Sequence, residues 1–177
     1  MQFSEEILPG AWVVTLKRFE DMRGTFVKTY ARTLFDQHEA GFELREEFYS
    51  VSKKDVIRGM HFQLPPHEHV KLVYCPLGAV EDVLLDLRSG PGYGRVAKVL
   101  LYADQPSLVF IPKGIAHGFR ALADGSLMVY KTSTEHAPMA AAGIRWDSFG
   151  HDWGLNQPII SDRDQQHPTL DNFVTPF

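Results

Sequence analysis

The chain has 177 residues, 44% apolar and 23% charged, an ordinary balance for a folded protein long enough to bury a core. A formal net charge of −4 and a pI near 6.0 exclude the basic stripe that a nucleic-acid surface needs. The lone cysteine, Cys75, excludes an intrachain disulfide and any CxxC metal site.

Met1–Gly10 (MQFSEEILPG) is acidic and has neither the positive n-region nor the apolar h-region of an export signal. No apolar run approaches the roughly 18 residues of a membrane helix, so a cytoplasmic protein is expected. With no repeat, linker or low-complexity tract, one domain over residues 1–177 is predicted. A short helix is predicted around Ala31–Glu39, stopped near Gly41. From there the periodicity is mostly two. Strand-like runs fall at Val70–Cys75, Lys98–Tyr102, Leu108–Ile111 and Leu127–Thr132, and Cys75 between Val73 and Leu77 reads as a buried, inert thiol. In Val83–Arg88 the residues Val83, Leu85 and Leu87 share one face and Asp86 and Arg88 the other, the pattern of a half-buried strand. Turn clusters at Ser89-Gly90-Pro91-Gly92, Ala103–Pro106 and Ala123-Asp124-Gly125 separate the runs. A spacing of about ten residues from strand to strand predicts an all-β sandwich or barrel with few short helices. Three tryptophans and twelve phenylalanines supply the bulk of its core.

Small barrels hold ligands in their mouths, so chemistry is sought among polar residues that alternation turns inward. The densest cluster is Arg58-Gly-Met-His61-Phe-Gln63-Leu-Pro-Pro-His67-Glu68-His69-Val-Lys71. His61 and Gln63 share one strand face, and Lys71 heads the next strand. A histidine facing inward beside a lysine can serve as a base next to an oxyanion stabiliser; the plainer reading is a core histidine bonded to a carbonyl. A second cluster, Ile111-Pro-Lys-Gly114-Ile-Ala-His117-Gly-Phe119, is a strand–turn–strand device that returns His117 toward the interior. His67, His69 and His117 also invite a metal reading. Val70, Lys71, Leu72, Val73 and Tyr74 provide no carboxylate ligand after His69, and His67-Glu68-His69 reads as a solvated loop.

From about Ile7 to Asn172 the sequence resembles the dTDP-4-dehydrorhamnose 3,5-epimerase family. The markers, in order, are Asp21-Met-Arg23-Gly-Thr-Phe26, Ser50-Val-Ser52, Arg58-Gly-Met-His61-Phe-Gln63 with Lys71-Leu-Val73, Asp82-Val83 and Asp86-Leu-Arg88. Ile111–Phe119, Tyr130-Lys-Thr132, Gly143-Ile-Arg145-Trp146 and Ser161-Asp-Arg-Asp164 follow. The resemblance implies a cupin, a double-stranded β-helix jelly-roll barrel, dimeric and free of metal and cofactor. It would epimerise C3, C5 or both of a nucleoside-diphospho-4-keto-6-deoxy sugar, as in polysaccharide biosynthesis.

On this resemblance His61 is the base and Asp164 the carboxylate that fixes its tautomer. Lys71 bonds the 4-keto oxygen, and Tyr130 is the acid that reprotonates carbon from the opposite face. The resemblance also implies substrate contacts for Arg23, Phe26, Arg58, Gln63, His117 and Arg145; strict alternation would put Arg58 opposite His61, so it needs a bulge or a different approach to the ligand. Three departures mark other substrate positions. Lys28 stands in place of a glutamate, Glu46-Glu-Phe48 in place of Gln-x-Asn, and His136 in place of a second tyrosine. Lys28 has donors but no acceptor for the thymine N–H, which predicts another base, guanine first and cytosine second. Two other functions compete: a metal-dependent cupin oxygenase or isomerase, separable by metal content, and a cupin that only binds a sugar nucleotide. Binding alone does not require an opposed acid and base.

Overall fold

The computed structural model describes residues 1–37 and 41–177. Its first half contains β1 (Gln2–Leu8), β2 (Ala11–Thr15), β3 (Arg18–Asp21), β4 (Gly24–Val27), α1 (Arg32–Gln37), β5 (Glu46–Ser52), β6 (Ile57–Gln63), β7 (Lys71–Leu77) and β8 (Ala79–Asp86). There follow β9 (Val96–Tyr102), β10 (Ser107–Ile111), β11 (Ile115–Ala121), β12 (Ser126–Thr132), β13 (Ala141–Gly143) and α2 (Asp162–Gln165). The helix predicted around Ala31–Glu39 is α1; its predicted end at His38 and Glu39 lies outside the described residues.

The strands form two antiparallel sheets, β1-β2-β10-β7-β12-β5 and β13-β6-β11-β8-β9, and the separate hairpin β3-β4. The two sheets face each other as a cupin jelly roll. Between them lie Val73 and Cys75 of β7, Val109 and Ile111 of β10, Leu84 of β8, Phe119 of β11 and Met128 of β12. Cys75 is buried there, as expected, and burial pushes its thiol up to about 11. No helix among the described residues is long and apolar enough to cross a membrane.

The half-buried reading of Val83–Arg88 is corrected. Val83, Leu84, Leu85 and Leu87 are all fully buried, and so is Asp86, which is bonded by the Arg88 guanidinium at 2.9 and 2.6 Å. The outer face of this sheet is covered by the C-terminal segment: Ile144, Phe149 and Trp153 pack on Val83 and Leu85, with Leu170, Phe173 and Phe177 around them. A strand covered on both faces needs no polar alternation. Each large apolar side chain so buried contributes about 1.5–3 kcal/mol. Together they hold α2, which lies between Trp153 and Leu170, against β6.

Where β6 pairs with β11, His61 lies opposite His117 and Arg58 opposite Phe119, so β6 carries one extra residue. Of the two ways for Arg58 to reach the ligand, this is the bulge. It is built on glycine: Gly59 has φ +140°, and a Cβ there would meet the Gly118 Cα at 2.5 Å.

Candidate active site

The mouth of the barrel is a cavity of about 280 Å³ lined from both sheets. From the five-stranded sheet come Arg58, His61, Gln63 and His117; from the six-stranded sheet come Glu46, Phe48, Ser50, Lys71, Tyr130 and Thr132. His136 and Arg163 lie at its margins. A groove of about 680 Å³ between the hairpin and β7 is larger, but its charged residues are only Arg18 and Asp104.

His61 Nε2 is 2.7 Å from Asp164 Oδ1, although 103 positions separate the two. The carboxylate is buried and held at the start of α2: its backbone N–H donates to the Ser161 hydroxyl, and its Oδ2 accepts the Gly59 N–H at 3.2 Å. Burial alone would raise the Asp164 carboxyl, but the adjoining His167 and His61 imidazoles and the Gly59 N–H hold it well below the usual carboxylate range. An ionised Asp164 accepts from His61 Nε2–H, which leaves Nδ1 as the bare ring nitrogen. Burial lowers the His61 pKa, outweighing the pull of Asp164. The imidazole is therefore neutral near pH 7 and able to take a proton.

Lys71, at the head of β7, donates from Nζ to the His61 carbonyl at 3.0 Å and is buried. Burial brings its ammonium down to about 8, against the opposing charge of Asp82. Tyr130 faces His61 from the opposite sheet. Its ring stacks on Phe48 (centroids 4.7 Å, 14° between planes), and its hydroxyl is 3.3 Å from the Ser50 hydroxyl. Burial raises the phenol above its ordinary value, so it keeps its proton. Below them His117 Nε2 is paired with Asp82 Oδ1 at 2.6 Å, both side chains fully buried.

These states predict a bell-shaped pH dependence of kcat/KM. With His61 in the role of base that the resemblance implies, the acid limb should lie below 6.5, the ordinary histidine value, because its protonation occurs only beneath its lowered pKa. The alkaline limb should fall near 8, as Lys71 loses its charge. An acid limb well above 6.5, or full activity at pH 10, would contradict the two assignments.

Four residues singled out in the sequence lie outside this cavity. Arg23 is 85% exposed at the hairpin turn and paired with Asp21 at 2.6 Å. Phe26 and Lys28 sit on and just after β4, where they line a separate hollow with Met1, Lys17 and Phe19. Arg145 turns its guanidinium to Asp147 at 2.6 Å. Gln63 lines the cavity but is anchored: its Oε1 accepts the Ala137 N–H at 2.7 Å and its Nε2 donates to the His67 carbonyl at 2.8 Å.

The solvated-loop reading of His67-Glu68-His69 is also corrected. His67 is exposed, but His69 turns inward, lies 3.3 Å from Gln63 Nε2 and lines the cavity. Burial, with Lys71 and His117 nearby, keeps it uncharged. Sequence reasoning weighed His69 only as a metal ligand, and it gave no site role to Ser50, Thr132, Asp82 and Arg163, although all four stand within the family markers. Ser50 had a usable signal, since Glu46, Phe48 and Ser50 alternate along β5.

Residues 5–172 match the family model described as dTDP-4-dehydrorhamnose 3,5-epimerase. The chain is 36% identical over 174 residues to the dTDP-4-dehydrorhamnose 3,5-epimerase of Shigella flexneri, covering 94% of this chain and 96% of that one. Among solved structures it is similar to the Legionella pneumophila dTDP-6-deoxy-D-glucose-3,5-epimerase in complex with dTDP-4-keto-L-rhamnose. That likeness has a TM-score of 0.92 and 25% identity, over 98% of this chain and 94% of the other. It is also similar to ChmJ, a 3'-monoepimerase from Streptomyces bikiniensis in complex with dTDP-quinovose (TM-score 0.88, 28% identity, 97% and 88% covered). Sequence and fold thus agree: the chain belongs to the dTDP-4-dehydrorhamnose 3,5-epimerase family.

Proposed function

We propose that the chain epimerises one or both carbons beside the ketone of a nucleoside-diphospho-4-keto-6-deoxy sugar, without metal or cofactor. One observation carries the reading: a base, His61 with Asp164, and an acid, Tyr130 with Ser50, stand on opposite sheets across one cavity, with Lys71 beside them. A C–H next to a ketone is removable only when the enolate oxygen is stabilised, and the buried ammonium of Lys71 does this. His61 Nδ1 takes the proton from one face. Tyr130 returns one to the other face, and inversion follows.

At about 280 Å³ the cavity is at the lower edge of the usual range for small ligands, roughly 300–1,000 Å³. It suits the sugar, with the diphosphate running out past Arg58 and Arg163. We place the nucleotide against the hairpin of a second copy, in a homodimer. Phe19 is 48% and Phe26 61% exposed on that hairpin, and β5, an unpaired sheet edge at the cavity, exposes Tyr49 (68%) and Val51 (53%). Such surfaces favour a partner, which would bring Arg23, Phe26 and Lys28 to the substrate. Acting on a metabolite of this kind, the enzyme would work in the cytoplasm.

The reading is tested by turnover of 4-keto-6-deoxyglucose nucleotides followed by NMR, with the base chosen by competition among TDP, UDP, CDP and GDP at fixed salt. Lys28 leads us to expect GDP or CDP to compete at least as well as TDP. TDP binding about tenfold tighter than the rest, a gap of about 1.4 kcal/mol, would return the chain to thymidine substrates. Absence of any epimer with all four nucleotides would refute the function.

A further inference from the structure

Asp164 is approached by a second imidazole that the epimerase chemistry leaves unused. His167 Nε2 lies 3.7 Å from Asp164 Oδ1, the oxygen already bonded to His61 Nε2 at 2.7 Å. That is too long for a hydrogen bond, and His167 Nε2 is sealed from solvent with no hydrogen-bond partner among the described residues. Buried nitrogens are rarely left so. Its position is nonetheless closely built: a Cβ on Gly143 would meet His167 Cδ2 and Nε2 at 2.4 Å, so glycine makes the room for this ring. The two imidazoles stand edge to face, with centroids 5.9 Å apart and 76° between planes. Asp164 Oδ2 is occupied by the Gly59 N–H, which leaves Oδ1 as the shared oxygen. One ligand atom from each of His61, Asp164 and His167 falls within 4.8 Å of the others.

Two imidazole nitrogens and a carboxylate oxygen are a ligand set for zinc, which binds three protein groups and keeps a fourth position open. The three groups meet just behind the cavity wall: His61 lines the cavity and its side chain is 33% exposed, against 6% for Asp164 and 14% for His167. We propose that His61, Asp164 and His167 form an inhibitory Zn²⁺ site. Zinc on His61 Nε2 displaces the proton shared with Asp164. A neutral imidazole carries one N–H, so the proton resides on Nδ1 instead, the atom that must be bare to act as base. The proton count is unchanged: Asp164 stays a carboxylate, and neutral His167 binds through Nε2 with its proton on Nδ1. Inhibition rests on His61 being the base; zinc binding does not. Mg²⁺, which requires octahedral oxygen ligands, does not fit.

The test uses the intact protein and Zn²⁺ alone, with binding measured by equilibrium dialysis and activity measured in parallel. One zinc per chain is expected, with inhibition reversed by chelation and no effect of Mg²⁺. His167→Phe, which keeps a ring against Gly143, should bind zinc at least about tenfold more weakly and lose inhibition in proportion, each rate taken relative to its own untreated enzyme. If His167→Phe does not fold, His167→Leu carries the same comparison. Equal zinc binding by wild type and the His167 variant, or none by either, overturns the site. Stoichiometric zinc at the site without inhibition overturns the inhibitory role, and activity of His61→Asn would then locate the failure in the base assignment.

Discussion

Replacing His61 with asparagine should leave a folded protein in which exchange of the substrate's C–H protons with solvent falls by about 10²–10⁴-fold, the contribution of a positioned base. The side chain is one-third exposed and, among the described residues, its only side-chain hydrogen bond is to Asp164, so the change opens no core cavity. Asparagine has no basic nitrogen, and the apolar cover packed around α2 still holds that segment against β6. Tight binding of substrate should survive, because Lys71, Arg58 and His117 are untouched, and the loss should appear in kcat. Wild-type exchange in a folded His61→Asn variant would end the assignment. His69 would then need consideration first, as another neutral imidazole on the cavity wall.

Tyr130→Phe should separate the two halves of the reaction. The ring and its stack on Phe48 remain, and only the hydroxyl near Ser50 is lost. Proton removal by His61 continues, so deuterium should still enter the substrate from heavy water. It should return to the face it left, with configuration retained, and epimer yield should drop by about 10²-fold or more. Normal epimer formation would mean that another group supplies the second proton. His136 is the first candidate, since it lines the rim, where its backbone N–H donates to Glu46 at 2.7 Å.

Alternation in β6 put His61 and Gln63 on one face, and a bulge, one of the two routes left open for Arg58, is present, because both follow from local strand geometry. The His61–Asp164 pair lay beyond periodicity: 103 residues separate them and only the apolar cover around α2 joins them, so the resemblance alone linked them. Val83–Arg88 read as half-buried because a single strand does not reveal that a second layer will cover its outer face. His69 was read as solvated because the Pro65-Pro66 turn breaks the alternation that would have placed it. Arg23, Phe26 and Lys28 lie on or beside the hairpin, away from the cavity of their own chain, and local sequence does not show how far a hairpin stands from the barrel mouth.

The most direct test of opposed-face proton transfer is wild-type turnover in deuterium oxide with a chelator present, following the carbons beside the ketone by NMR. The account predicts one deuterium at each epimerised carbon, in the inverted configuration and at the rate of product formation. Inversion without deuterium uptake, or uptake that stops when metal is stripped, would contradict it.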